Sequence, residues 1–165
     1  MTDEYQEQVT RAFEDAREDV YRYLLTLGLQ PPQAQDATQD VFLRLYTALL
    51  KGEKIHSVRG WIFRVAHNVG VDARAKKQPL PLEIQMESAV RDQRRGVEMD
   101  LIENERIDRI AGAWKTLSPK QRECLYLRSE GLRYRQIAES MGISVSSVRE
   151  FLSRAVLRLQ RAVNE

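Results

Sequence analysis

Apolar residues recur along this chain at three- and four-residue intervals, and no stretch alternates in the manner of a strand. That spacing predicts an all-α protein. A first helix is expected from about Tyr5 to Leu27, ended by Gly28 and by Pro31-Pro32. A second runs from about Pro32 to Leu50, with Val41, Leu45, Ala48 and Leu49 as its inward stripe and Gly52 just beyond. Ser57 is placed to cap a third helix reaching roughly Lys77, whose apolar face is Trp61, Ile62, Val65, Ala66 and Val69. The periodicity then fails. Pro79 and Pro81 stop the helix, and Glu83 to Gly96 mixes polarity without a regular face. The pattern restarts near Met99, and Leu101, Ile102, Ile107, Ile110, Ala111 and Trp114 mark a fourth helix. Ser118-Pro119-Lys120-Gln121 reads as a capping box with proline at the first helical position, and Gly131 closes the helix it opens. Two more follow, from about Tyr134 to Met141 and from Val145 to Val163. The expected architecture is two small helical domains, residues 1–78 and 99–165, joined by a linker over residues 79–98.

Composition and charge narrow the classes. Hydrophobic residues make up 42% of 165, enough for packed helical cores, yet no run of apolar residues is long enough to span a membrane. Met1 to Gln8 is polar and acidic, which does not fit a signal peptide, so a cytoplasmic protein is expected. One cysteine, Cys124, excludes an internal disulfide and a cysteine-based metal cluster. His56 and His67 lack a third ligand at suitable spacing, so no metal and no cofactor are expected. The net charge of +2 is unevenly spread: zero over residues 1–78, −3 over 79–112 and +5 over 113–165. A basic C-terminal third suits nucleic acid.

The most specific local signal lies in that third. Ala138 supplies the small residue needed where two helices touch, and Gly142 supplies the left-handed turn position. Ile137, Met141, Ile143, Val148 and Phe151 flank them at helix-turn-helix offsets, and Ser144 can cap the second helix. That helix would enter the major groove with Ser146, Ser147, Arg149, Glu150, Ser153 and Arg154 outward. Arg133, Tyr134 and Arg135 open the first helix, where cations and backbone N–H groups can hold a phosphate. The competing reading is a plain helical hairpin in which Gly142 only ends a helix.

The N-terminal half adds a second motif. The segments Asp36-Ala37-Thr38-Gln39-Asp40-Val41-Phe42-Leu43-Arg44-Leu45-Tyr46 and Val58-Arg59-Gly60-Trp61-Ile62-Phe63-Arg64-Val65-Ala66-His67-Asn68-Val69-Gly70-Val71-Asp72, followed by the helix-turn-helix, resemble the extracytoplasmic-function class of sigma factors. The resemblance covers about Tyr21 to Leu159 apart from the linker. It implies a non-catalytic subunit that binds core RNA polymerase and promoter DNA. Asp36, Gln39, Asp40, Leu43, Arg44 and Thr47 would dock on the polymerase, and helical spacing sets most of them opposite Val41 and Leu45. The loop Gly52 to Ser57 and the helix from Trp61 would open the −10 element and capture an extruded base. Its candidate contacts are Lys54, His56, Ser57, Arg59, Arg64, His67, Asn68, Arg74, Lys76 and Lys77. Trp61 itself, in register with Val65 and Val69, reads as core. The candidate −35 contacts are Arg133, Tyr134, Arg135, Ser144, Ser146, Ser147, Arg149, Glu150, Ser153 and Arg154. An anti-sigma factor is the further partner the resemblance implies.

The chain departs from the family pattern at Glu150 and Phe151, where further basic residues are common, and at Ala75, where an arginine is common. Promoter sequences therefore do not carry over. A free-standing helix-turn-helix regulator is the rival reading, and the Trp61 to Asp72 segment and the outward Leu43 weigh against it. An enzyme is disfavoured. No glycine-rich phosphate loop or paired catalytic constellation is present, and Cys124 beside Leu125 and Leu127 reads as a packed thiol.

Overall fold

A computed structural model of the chain describes residues 2–76 and 101–165. Lys77, the linker over residues 79–98 and the restart at Met99 lie outside the described residues. Within them every regular element is a helix: α1 (Thr2–Thr26), α2 (Pro31–Leu50), α3 (Val58–Lys76), α4 (Leu101–Thr116), α5 (Pro119–Ser129), α6 (Tyr134–Met141) and α7 (Val145–Asn164).

The ends follow from local chemistry. Helix α1 closes with Gly28 N–H bonded to the Leu25 carbonyl and Leu29 N–H to the Leu24 carbonyl, a pairing that satisfies the last free carbonyls. Leu29 is then buried against the helix it has left. Ser57 caps α3 by accepting the Gly60 N–H at 3.1 Å. At α5 the capping box forms in full: Ser118 Oγ accepts from the Gln121 N–H, and the Ser118 N–H donates to Gln121 Oε1 at 2.9 Å.

The first three helices pack on one another through their apolar stripes. Val41, Leu45, Ala48 and Leu49 of α2 are buried as their spacing predicts, with Phe42 added by an edge-to-face contact with Phe13, 5.1 Å between ring centres. Ile62, Ala66 and Val69 of α3 are buried as well, while Trp61 and Val65 are half-buried at the rim of the core. Phe63 and Tyr23 sit at the centre with no exposed surface, their rings 5.8 Å apart.

In the second half α5, α6 and α7 pack together, and α4 rests along α7. Here one expectation fails in detail. Helix α4 forms, but Leu101 is 83% and Ile102 69% exposed, and Ile110 is also exposed. Ile107, Ala111 and Trp114 share one face of α4. At 100° per residue Leu101 and Ile102 lie roughly 120–140° away from it, outside the stripe a single neighbour can cover.

The two halves do not stand apart. Helix α6 packs on α3 and α5 on α1, and one continuous cluster of buried residues runs from Val20 and Phe63 to Leu127 and Ile137.

Candidate DNA and polymerase surfaces

The helix-turn-helix is built from α6 and α7. Gly142 ends α6 with φ +67°, a left-handed conformation that a side chain would strain. The Ile143 N–H bonds back to the Ala138 carbonyl, and Ala138 is buried where the helices meet. Ser144 Oγ accepts the Ser147 N–H at 3.1 Å, which starts α7. Val148, Leu152 and Ala155 then face inward, so Ser146, Arg149, Glu150, Ser153 and Arg154 are exposed on the opposite side, with Ser147 half-buried. Phe151 is half-buried against the core and leaves the outward face to its neighbours.

Charge on this face is not uniform. Glu150 pairs with Arg154 at 2.7 Å, so a carboxylate partly neutralises that cation. Arg135 pairs with Glu139 at 3.5 Å. Tyr134 is half-buried beneath the Arg128 guanidinium, 5.4 Å from its ring centre. Ser144 and Ser147 hydroxyls bond each other at 2.9 Å, so both serve the helix start first. Arg133 and Arg149 remain exposed.

On α2 the residues Asp36, Gln39, Leu43, Arg44 and Thr47 are exposed, with Asp40 half-buried and bonded to Arg44 at 3.1 Å. Leu43 is 63% exposed and borders a cleft of about 560 Å³ whose other walls are Val9, Phe13, Phe42 and Tyr46. An apolar cleft rimmed by Gln6, Thr10 and Gln39 has the composition of a protein-docking patch.

The candidate −10 residues separate into three groups. Lys54, His56 and Arg64 are exposed and line a cleft of about 270 Å³ together with Ile55, Gly60 and Trp61. Asn68, Arg74 and Lys76 are exposed along α3, and Arg74 also donates to the Leu27 carbonyl at 3.1 Å. Ser57, Arg59 and His67 point into the junction between the halves. Arg59 bonds Asp19 at 3.1 Å, the Glu130 carbonyl at 2.6 Å and the Glu130 carboxylate. Asp19, Tyr126, Glu130 and Gln136, which complete this junction, carry no local sequence signal that would single them out.

His67 differs most from an outward DNA contact. Its Nδ1 lies 2.7 Å from the Tyr23 hydroxyl, which is buried in the core. Burial holds the Tyr23 pKa well above its ordinary value, so its O–H stays protonated and donates. Burial, then the nearby Arg74 charge, lowers the His67 pKa below 6.5. The unfolded chain therefore takes up a proton near pH 6.5 while the folded chain does so only at lower pH, and stability falls as pH drops through that window. The urea midpoint is expected to decline between pH 7.5 and 5.5, and to decline less in His67→Gln. The carboxyls of Glu123 and Glu130, raised mainly by burial, act in the opposite sense in both proteins and cancel in the comparison. Parallel curves would assign the loss to other groups. Cys124 is buried, with its thiol pushed up to about 12 and its Sγ 3.4 Å from Met141 Sδ, which makes it a packing group.

Residues 12–79 match Sigma-70 region 2, and residues 93–159 match Sigma-70, region 4. The chain belongs to the sigma-70 family. Its relatives place it in the extracytoplasmic-function class. The ECF RNA polymerase sigma factor SigM of Bacillus subtilis is 29% identical over 88% of this chain and 89% of its own. SigK of Mycolicibacterium vanbaalenii is 23% identical over 92% and 79%. Two solved structures share the fold. CnrH in complex with the cytosolic domain of CnrY superposes with a TM-score of 0.64 at 19% identity, covering 96% of this chain and 89% of that one. The sigma factor RpoE in complex with the anti-sigma factor NepR from Bartonella quintana gives 0.67 at 18% identity, covering 96% and 98%. This sigma factor is accordingly a non-catalytic subunit that binds core RNA polymerase and directs it to promoters. Among the described residues no helix is long and apolar enough to cross a membrane, and no group of three or more His, Cys, Asp or Glu could hold a metal.

Proposed function

We propose that this sigma factor divides promoter recognition between its two halves and acts in the cytoplasm. Residues 1–78 dock on the polymerase through the α2 face around Leu43 and open the −10 element with the loop before α3 and the exposed cations of α3. Residues 99–165 read the −35 element with α7, and residues 79–98 join the two. The observation that carries this reading is the capped α7 helix behind the Gly142 turn. It buries Val148 and Leu152 and turns Ser146, Arg149, Ser153 and Arg154 to solvent on one face. Joining two weak contacts raises the effective concentration of the second once the first has formed.

The test is transcription by the purified chain with core polymerase on promoters selected from a random library. Initiation at a shared −35 and −10 pair is expected, and no specific transcript from any sequence would overturn the proposal. Leu43→Asp is expected to weaken core binding about tenfold, as loss of one well-buried aliphatic contact would. A titration of labelled chain with core enzyme reads it, and unchanged affinity would remove the α2 face from the docking surface. An anti-sigma partner is inferred too, because RpoE was solved with one. Co-purification from native cells should recover a second protein besides polymerase.

A further inference from the structure

A cleft of about 560 Å³ lies where the later turns of α3 meet the start of α5, the end of α6 and the middle of α7. Small-molecule sites run to about 300–1,000 Å³. Glu123, which lines this cleft, belongs to none of the surfaces described above and is only 7% exposed. Among the described residues no hydrogen bond or ion pair reaches its carboxylate. Burial raises its pKa, while the charges of Arg74, Lys120 and Arg122 pull it the other way. A buried carboxylate without donors is costly, so its oxygens call for an N–H partner in the cleft. The other polar groups there are donors. Lys120 stands exposed in the first turn of α5, where the helix end also favours an anion. Arg74 gives one guanidinium N–H to the Leu27 carbonyl and keeps the rest. His67 accepts the Tyr23 hydroxyl at Nδ1, so its neutral ring carries a proton on Nε2. Val71, Met141 and Phe151 form an apolar wall, and Met141 is held by Cys124, 3.4 Å between sulfurs.

We infer that this cleft is a binding site for a free α-amino acid with a large apolar side chain. The ammonium group donates to Glu123, the carboxylate accepts from Lys120 and Arg74, and the side chain lies on Met141 and Phe151. Charge decides between this ligand and simpler ones. An anion alone would leave Glu123 unpaired beside a like charge, and an amine alone would meet Arg74 and Lys120. Both signs must therefore arrive together. The three side chains are near enough for their charges to act on one another, and an α-amino acid carries its two charges on a single carbon. The site depends on where α3 and α5 meet, not on which promoter element either half reads. Because side chains of both halves hold the ligand, its binding stabilises the whole chain by mass action.

The full-length chain, titrated with L-phenylalanine, tests this by calorimetry and by NMR of its methionine methyl groups. Saturable binding is expected, with a rise in melting temperature. The Met141 methyl signal, identified through Met141→Leu, should move while those of the other three methionines stay in place. Two analogues separate the charges. Hydrocinnamate lacks the amine and L-phenylalanine amide lacks the carboxylate, and each should bind about tenfold weaker or worse, as loss of a charge-assisted hydrogen bond would cause. Glu123→Gln should erase the preference for phenylalanine over hydrocinnamate, and Lys120→Ala should reduce its preference over the amide. Should Glu123→Gln fail to fold, the analogues on the wild type and the exposed Lys120→Ala still decide. Absence of a saturable signal up to the solubility limit of phenylalanine would overturn the site. So would equal binding of all three compounds, which would leave only an apolar cleft, or a shift at the other methionines with Met141 unmoved.

Discussion

A Phe63→Ala chain is expected to lose about 3–5 kcal/mol of unfolding free energy, the range for deleting a buried aromatic side chain and leaving a cavity. Phe63 has no exposed surface. It meets Tyr23 edge-on at 5.8 Å, and the Arg59 guanidinium lies 5.3 Å from its ring centre. Domains of this size are stable by about 5–15 kcal/mol, so the substitution removes a large share of the total. Its position also makes a second forecast. Phe63 stands where α1 and α3 meet the Arg59 contacts to Glu130, and the buried cluster continues from there into α5 and α6. Urea unfolding followed by circular dichroism and by Trp114 and Trp61 fluorescence should therefore shift as one transition. Lys51→Ala, exposed at the end of α2, should change stability by less than about 0.5 kcal/mol. A loss under about 1 kcal/mol for Phe63→Ala, or a transition confined to one half, would contradict the shared core.

That shared core is also where the sequence stops being informative. Caps, stops and stripes depend on neighbours within a few residues, so Ser57, Ser118, Gly142 and the α2 stripe could be placed from spacing alone. The helix-turn-helix was legible for the same reason: Ala138, Gly142 and Ser144 answer needs within a single turn. Leu101 and Ile102 misled because an apolar residue announces a helix without announcing which faces find a partner. Gln121, Arg122 and Glu123 are buried although polar, since α5 is packed against α1 as well as α6 and α7. Nothing local to Asp19, Glu130 or Gln136 distinguishes them from solvated surface residues. Their roles come from contacts spanning 40 to 79 positions, between Asp19 and Arg59 and between Ser57 and Gln136. Periodicity has no access to such pairings. His67 shows the same limit: its sequence setting fits a DNA contact, and only the fold brings its ring to Tyr23.

Arg149→Ala in the holoenzyme is expected to lower initiation about 5- to 150-fold at promoters that depend on the −35 element. The range corresponds to the 1–3 kcal/mol by which a two-pronged base contact discriminates. It should leave initiation on a template preopened at the −10 element unchanged. The neighbouring residues set the contrast. Arg154 sits in an ion pair with Glu150, and both side chains are more than half exposed. Such a pair contributes only about 0.3–0.5 kcal/mol to the fold, but it offsets the charge Arg154 offers to DNA. Arg154→Ala should consequently cost less than Arg149→Ala. Glu150→Ala should strengthen binding to all duplexes alike, by removing a negative charge from the exposed face of α7 and freeing Arg154 for phosphate. Competition assays across single-base variants of the selected −35 element separate the cases. Arg149→Ala should flatten preference at one position, whereas Glu150→Ala should raise every affinity and steepen the salt dependence. If Arg149→Ala initiates as well as the wild type and keeps its preferences, α7 does not read bases through Arg149. The −35 choice would then rest on DNA shape and on the serines that flank it.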